Sequence, residues 1–111
     1  MTHNLSFITC PALLAKLGWR RQWLEGAGAI GWLKGNAEAA RTLSEATDSD
    51  YYGAVGWITS DLTAKGWSVE GCFTDSDNPR YRAMDKVGVV VVVRNGLLEA
   101  LHAAYTATKG K

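Results

Sequence analysis

The sequence predicts an α+β fold: one small, mainly helical domain over residues 1–111 with a minor sheet of two or three strands. Three observations lead there. A chain of 111 residues has room for one hydrophobic core and is too short for two. Hydrophobic residues make up 47% and charged residues 21%, the balance of a folded domain rather than of a disordered chain. Apolar residues recur at helical spacing in several stretches, whereas strand-like patterns fall mainly after Trp67.

Taken in order, Leu5, Phe7 and Ile8 read as a short leading strand. Thr9-Cys10-Pro11 then opens a helix, with Thr9 as cap and Pro11 in the first turn, where its missing donor is harmless. Leu13, Leu14, Leu17 and Leu24 share one face of that helix if it continues through Gly18. Trp19 and Trp23 then lie on nearly the opposite face. Gly26-Ala27-Gly28 interrupts it, because interior glycines cost about 1 kcal/mol each against alanine. Asn36 is placed to cap a second helix across Ala37 to Ala46. Thr47-Asp48-Ser49-Asp50 ends that helix and caps the next, with Asp50 as the capping residue. The next helix, Tyr51 to Lys65, carries Tyr51, Val55, Ile58 and Leu62 at a 4-3-4 spacing and stops at Gly66. Ser68 to Phe73 reads as a strand and residues 74–79 as a polar loop. The returning strand is either Arg80 to Met84 or the valine run Val89 to Val93. Leu97, Leu98, Leu101 and Tyr105 then give a closing helix.

The composition also narrows the function. The formal charge of +1 suits neither an acidic nucleic-acid mimic nor a polycation that binds DNA by charge alone. No apolar run approaches the roughly 20 residues that span a bilayer, and the N-terminus lacks the pattern of a secretory signal. Cys10 and Cys72 make no disulfide framework and read as reduced thiols, which points to the cytoplasm.

Several motifs have bland explanations. Gly26-Ala27-Gly28-Ala29-Ile30-Gly31 satisfies G-x-G-x-x-G, but Arg20 to Glu25 is not the apolar strand a dinucleotide site needs before it. Close packing explains these glycines better. Gly28 to Leu33 echoes Gly53 to Ile58, yet the similarity ends outside six positions and marks no repeat architecture. Asp48, Asp50, Asp75 and Asp77 stand in two Thr-Asp-Ser-Asp tetrads that fit helix and turn caps better than a cation site. His3 and His102 are remote from one another. No serine or cysteine sits in a nucleophile elbow, and no Cys/His cluster has zinc spacing. No catalytic residue, metal or cofactor is assigned, and the chain reads as non-enzymatic.

Among the five tryptophans, four directly follow a glycine. Trp19, Arg20, Arg21 and Trp23 form the densest cluster of residue types enriched at binding hot spots, and they are the candidate partner-binding site. The competing reading is core indoles covered by arginine stems.

From Tyr51 the order is helix, Lys65-Gly66-Trp67 stop, strand, polar loop, strand, helix. Asp61 to Glu70 resembles the end of a recognition helix and the first wing strand of winged helix-turn-helix proteins, and Asp77 to Arg82 resembles the wing and its return. The resemblance covers a third to a half of the chain. It implies nucleic-acid contacts from Lys65, Arg80, Arg82 and Lys86. The chain departs from that family where its helix offers Gly53, Ala54, Gly56, Trp57, Ser60 and Asp61 rather than the polar and basic side chains that read bases. Asp75, Asp77 and Asp85 also counter the wing cations. The expected function is therefore a small protein that occludes or regulates a protein partner, in the manner of compact effectors encoded by phages and mobile elements, or that pairs with itself as a homodimer. A winged-helix DNA-binding regulator is the alternative.

Overall fold

Two Gly-Trp pairs decide where helices end. The computed structural model describes residues 2–35, 40–72 and 80–109, and its contacts divide the chain into two compact units, Met1–Gly53 and Ala54–Lys111. The first unit runs β1 (Thr2–His3), α1 (Pro11–Lys16), β2 (Arg20–Leu24), β3 (Ala29–Lys34), β4 (Arg41–Thr42), a single 3-10 turn (Leu43–Glu45) and β5 (Ala46–Thr47). Helix α2 (Asp48–Ala64) begins in the first unit and ends in the second. There it is followed by β6 (Ser68–Cys72), β7 (Arg80–Met84), β8 (Val90–Arg94) and α3 (Leu97–Lys109).

The class is α+β, but the chain is not mainly helical. Strands nearly match helices in extent, and the described residues form three antiparallel sheets, β1-β5, β2-β3-β4 and β6-β7-β8. The first correction concerns Gly18. It adopts φ +95, and the N–H groups of Gly18 and Trp19 donate back to the carbonyls of Ala15 and Leu14. This is a Schellman stop, which satisfies the carbonyls at the helix end. The first helix is therefore one and a half turns long, and the segment that carries Arg20 to Leu24 is a strand. Its partner is β3, paired across the Gly26-Ala27-Gly28 turn, where Gly28 takes φ +63.

The second correction concerns residues 37–46. Residues 36–39 lie outside the described part of the chain. Arg41 and Thr42 pair with β3, and Ala46 and Thr47 pair with β1. Thr42 N–H and hydroxyl both donate to the Glu45 carboxylate, a capping box closed around one 3-10 turn. Strand pairing on either side outweighs local helix propensity, high for alanine but a weak determinant against tertiary context. Likewise Leu5 and Ile8 form no strand. They are buried, and their backbone turns between them, with Ile8 N–H donating to Leu5 O and Leu5 N–H to Leu43 O.

Helix α2 starts as the Thr-Asp-Ser-Asp tetrad predicts, with one change of role. Asp50 N–H donates to Thr47 Oγ1 and Thr47 N–H to Asp50 Oδ2. Thr47 is therefore the cap, and Asp50 is its partner three residues on. Asp48 instead receives His3 Nε2 at 2.6 Å, and the His3 ring stacks on Tyr51. The second tetrad, with Asp75 and Asp77, lies outside the described residues.

Helix α2 ends at a second Schellman stop. Gly66 takes φ +82, and the N–H groups of Gly66 and Trp67 return to Thr63 and Leu62. In both stops the tryptophan after the glycine is buried, Trp19 at 3% and Trp67 at 9% exposure. A Cβ on Gly66 would also stand 3.0 Å from Lys86 Cβ. Gly66→Ala should cost about 1 kcal/mol or more, the penalty of a side chain in left-handed backbone. Chemical denaturation of the full chain measures it. The other Gly-Trp pairs have different settings: Gly31-Trp32 lies in β3 and Gly56-Trp57 inside α2. The six-residue echo is thus a strand in one place and a helix in the other.

Both alternatives for the returning strand are realised. Strand β7 pairs with β6 and β8 pairs with β7, giving a meander with an irregular register at Ala83/Met84. Helix α3 packs over β8 and β7 and less over β6, and Ala83 and Val92 turn inward toward it. Leu98, Leu101, Ala104 and Tyr105 fill that core with Ile58 and Leu62 of α2. Among the described residues no helix is long and apolar enough to cross a membrane.

Candidate protein-binding face

The hairpin β2-β3 decides what each residue of the Trp/Arg cluster can do. Side chains alternate along a strand, so Arg21 and Trp23 project from one face and Arg20, Gln22 and Leu24 from the other. Leu33, opposite Arg20 in the register, is buried, so that face turns inward at its Leu33 end, although Arg20 and Gln22 on it are exposed; the face of Arg21 and Trp23 is the outer one. On the outer face Trp23 is paired with Ile30 and Arg21 with Trp32. Trp23 is 57% and Ile30 55% exposed, an uncommon surface position for two large apolar side chains side by side. Arg21, Gln22, Trp23 and Ile30 line a shallow depression on the hairpin.

The cluster read from the sequence therefore separates. Trp19 is a core residue, reached by Lys34 Nζ at 5.8 Å from its ring centre. Arg20 is held by its own hairpin: Nη1 donates to Gly35 O at 2.6 Å and Nε to Gln22 Oε1 at 3.4 Å. Arg21 and Trp23 remain together on the exposed face. Ile30 and Trp32 join them, and nothing in the helical reading placed them there. Their signal was the period-two pattern Arg21-x-Trp23 and Ile30-x-Trp32 on either side of a glycine turn.

The glycines of the turn motif serve this geometry. Leu24 O accepts from the N–H groups of Ala27 and Gly28. Gly31 lets Leu24 lie across the strand, since a Cβ there would stand 2.4 Å from Leu24 Cδ1.

The hairpin is anchored by a buried carboxylate. Asp50 is 6% exposed and accepts Arg41 Nε at 3.1 Å and Arg41 Nη2 at 3.0 Å, while Lys34 Nζ stands 3.2 Å away. Lys34 and Arg41 are direct cross-strand neighbours on β3 and β4, a like-charge pair that would repel without it. Lys34 also donates to Leu17 O at 2.9 Å, tying the end of α1 to β3. Burial raises the Asp50 carboxyl pKa, but the Thr47 N–H, Lys34, Arg41 and the Thr47 hydroxyl outweigh it and hold the group below its ordinary 3.8.

The alternative nucleic-acid set divides too. Lys65 Nζ is bonded to Asp61 at 2.9 Å and Thr108 at 3.2 Å, and Arg82 Nε to Glu70 at 2.6 Å. Arg80 and Lys86 are exposed at the start of β7 and in the β7-β8 turn. Among the described residues no three His, Cys, Asp or Glu side chains stand close enough to hold a metal ion. Burial lowers the pKa of His102 on α3, which favours its neutral form. Neither a protein-family model, nor a curated protein, nor a solved structure matches the chain.

Proposed function

We propose that the chain is a small non-enzymatic binding protein that engages a protein partner through the outer face of the β2-β3 hairpin and acts by occluding it, in the cytoplasm. The observation that carries this reading is the exposed cross-strand pair Trp23–Ile30, flanked by Arg21. Tryptophan and arginine are the residue types that most often carry binding energy, and a strand pair presents them with little conformational freedom left to lose. Arg21 stands beside Trp23 on that face, so the fitting partner offers an apolar patch with a carboxylate at its edge. An effector of the phage or mobile-element type fits this short, motif-free chain.

Trp23→Ala tests it. Capture of a partner from the native host, followed by affinity measurement, should show weakening of about 2 kcal/mol or more, the hot-spot scale. Thermal unfolding of the variant should match the parent, because the indole is mostly in solvent. A partner whose affinity ignores Trp23, Ile30 and Arg21 alike overturns the reading.

A winged-helix-like DNA-binding regulator is the second reading, favoured by the order α2, β6, β7 and by exposed Arg80 and Lys86. Duplex DNA binding that weakens steeply with salt, and that is lost in an Arg80→Ala, Lys86→Ala variant, would support it over the first.

A further inference from the structure

Five valines in one stretch stand in solvent: Val87 at 74% exposure, Val89 at 56%, Val90 and Val93 at 45% and Val91 at 41%. They are most of the large apolar side chains left exposed among the described residues. Single exposed valines are ordinary, whereas a contiguous group marks a contact surface.

Two features hold the group in place. The turn before β8 is fixed by Asp85, whose Oδ1 accepts the N–H groups of Val87 and Val89 at 3.0 Å each, with Gly88 between them at φ +86. In the sheet, Ala83 and its partner Val92 turn inward, so Val93, opposite Arg82, and Val90, opposite Met84, stand on the other face. Val91 is the extra residue of a bulge, and Arg94 Nη1 donates to the Val93 carbonyl at 2.8 Å. Both features blunt the edge of β8 for strand pairing, so what the valines offer is side-chain surface.

The free charges around them have one sign. Lys86 precedes the valines, and at the far end stand Arg94 and Arg80, which adjoins Tyr81, the cross-strand partner of Arg94. Among the described residues none of these three cations has a carboxylate partner. The carboxylates nearby are engaged, Glu70 by Arg82 and Asp85 by the N–H groups of its turn.

We infer that this valine face docks on an anionic lipid surface. The valines enter the apolar layer beneath the headgroups, and Lys86, Arg80 and Arg94 meet the lipid phosphates. A nucleic acid would satisfy the cations but offers no apolar layer to the valines. Protein partners are gripped mainly by tryptophan, tyrosine and arginine anchors, among which valine is under-represented, whereas burial in lipid asks only for aliphatic area. The contact is peripheral, since no described helix is long and apolar enough to cross a bilayer. It belongs to the second compact unit, and the hairpin to the first.

Co-sedimentation of the full chain with phosphatidylcholine vesicles, with and without phosphatidylserine, reads the outcome. At low salt the parent should bind the phosphatidylserine vesicles about tenfold better or more, the effect of two or three cations at an anionic surface. Lys86→Ala with Arg94→Ala should remove most of that preference. Val87→Asn with Val89→Asn should weaken binding by about tenfold, the loss of two exposed aliphatic groups, with far-UV circular dichroism and melting temperature unchanged. Trp23→Ala should bind vesicles like the parent. A parent that stays in the supernatant with phosphatidylserine vesicles overturns the inference. So does binding that the asparagine pair leaves intact, because charge alone would then hold the protein there. A Trp23→Ala chain that no longer pellets overturns it too, since the hairpin would then be the lipid contact.

Discussion

Replacing Trp19 by alanine is expected to destabilise the protein by about 3–5 kcal/mol, the cost of truncating a large core side chain. Trp19 is 3% exposed, follows the left-handed Gly18 and returns its N–H to Leu14 O. Its removal opens a cavity at the point where α1 turns into β2. Total stabilities of small domains run to roughly 5–15 kcal/mol, so this loss takes a large share. Urea unfolding should show a midpoint far below that of the parent, with a similar slope. Trp23→Ala, four residues away, should leave the midpoint in place. Equal effects from the two variants would mean that the alternation assigned to β2 is wrong.

Asp50→Ala should be the second most damaging change, at about 2–3 kcal/mol. The loss joins the Asp50 half of the capping box, worth about 1 kcal/mol, to the removal of the carboxylate that Lys34 and Arg41 share. Those two side chains are about 30% exposed, so water recovers part of their lost pairing. Acidification should reproduce the effect without mutation. The Asp50 carboxyl titrates below its ordinary 3.8 in the folded protein, so its contribution is fully present above that value. It is lost as pH falls from there through the folded-state value. A parent-minus-Asp50→Asn stability difference that fails to shrink below pH 3.8 would break this assignment.

The contrast between Trp19 and Trp23 also shows what the sequence could convey. Helix α2 was legible because its apolar spacing, acidic tetrad and Gly66 all agree. The closing helix was legible from its apolar spacing, whereas the two late strands read as alternatives, Arg80–Met84 or Val89–Val93, and the structure has a strand at each. The β2-β3 hairpin was not legible. Leu13 to Leu24 can be laid on one helical face, and the decisive event, left-handed backbone at Gly18, is a choice that glycine permits but does not force. Once the helix stops, period two replaces period 3.6, and every side chain from Arg20 onward changes face. Two of the four candidate binding residues, Arg21 and Trp23, stay together through that change, while Trp19 and Arg20 turn to structural work. Lys34 and Arg41 could not be read as a pair, because only the fold brings them to one carboxylate.

The twin Gly-Trp stops also give the chain a built-in optical readout. Trp19 lies in the first compact unit and Trp67 in the second, both shielded from solvent, while Trp23 faces water. Single-tryptophan versions that retain one of these indoles, with the others changed to phenylalanine, would separate the emission of each unit from that of the hairpin face. The loosening of either unit and the docking of a partner are then each read as the shift of a single emission band, one version at a time, with no dye attached.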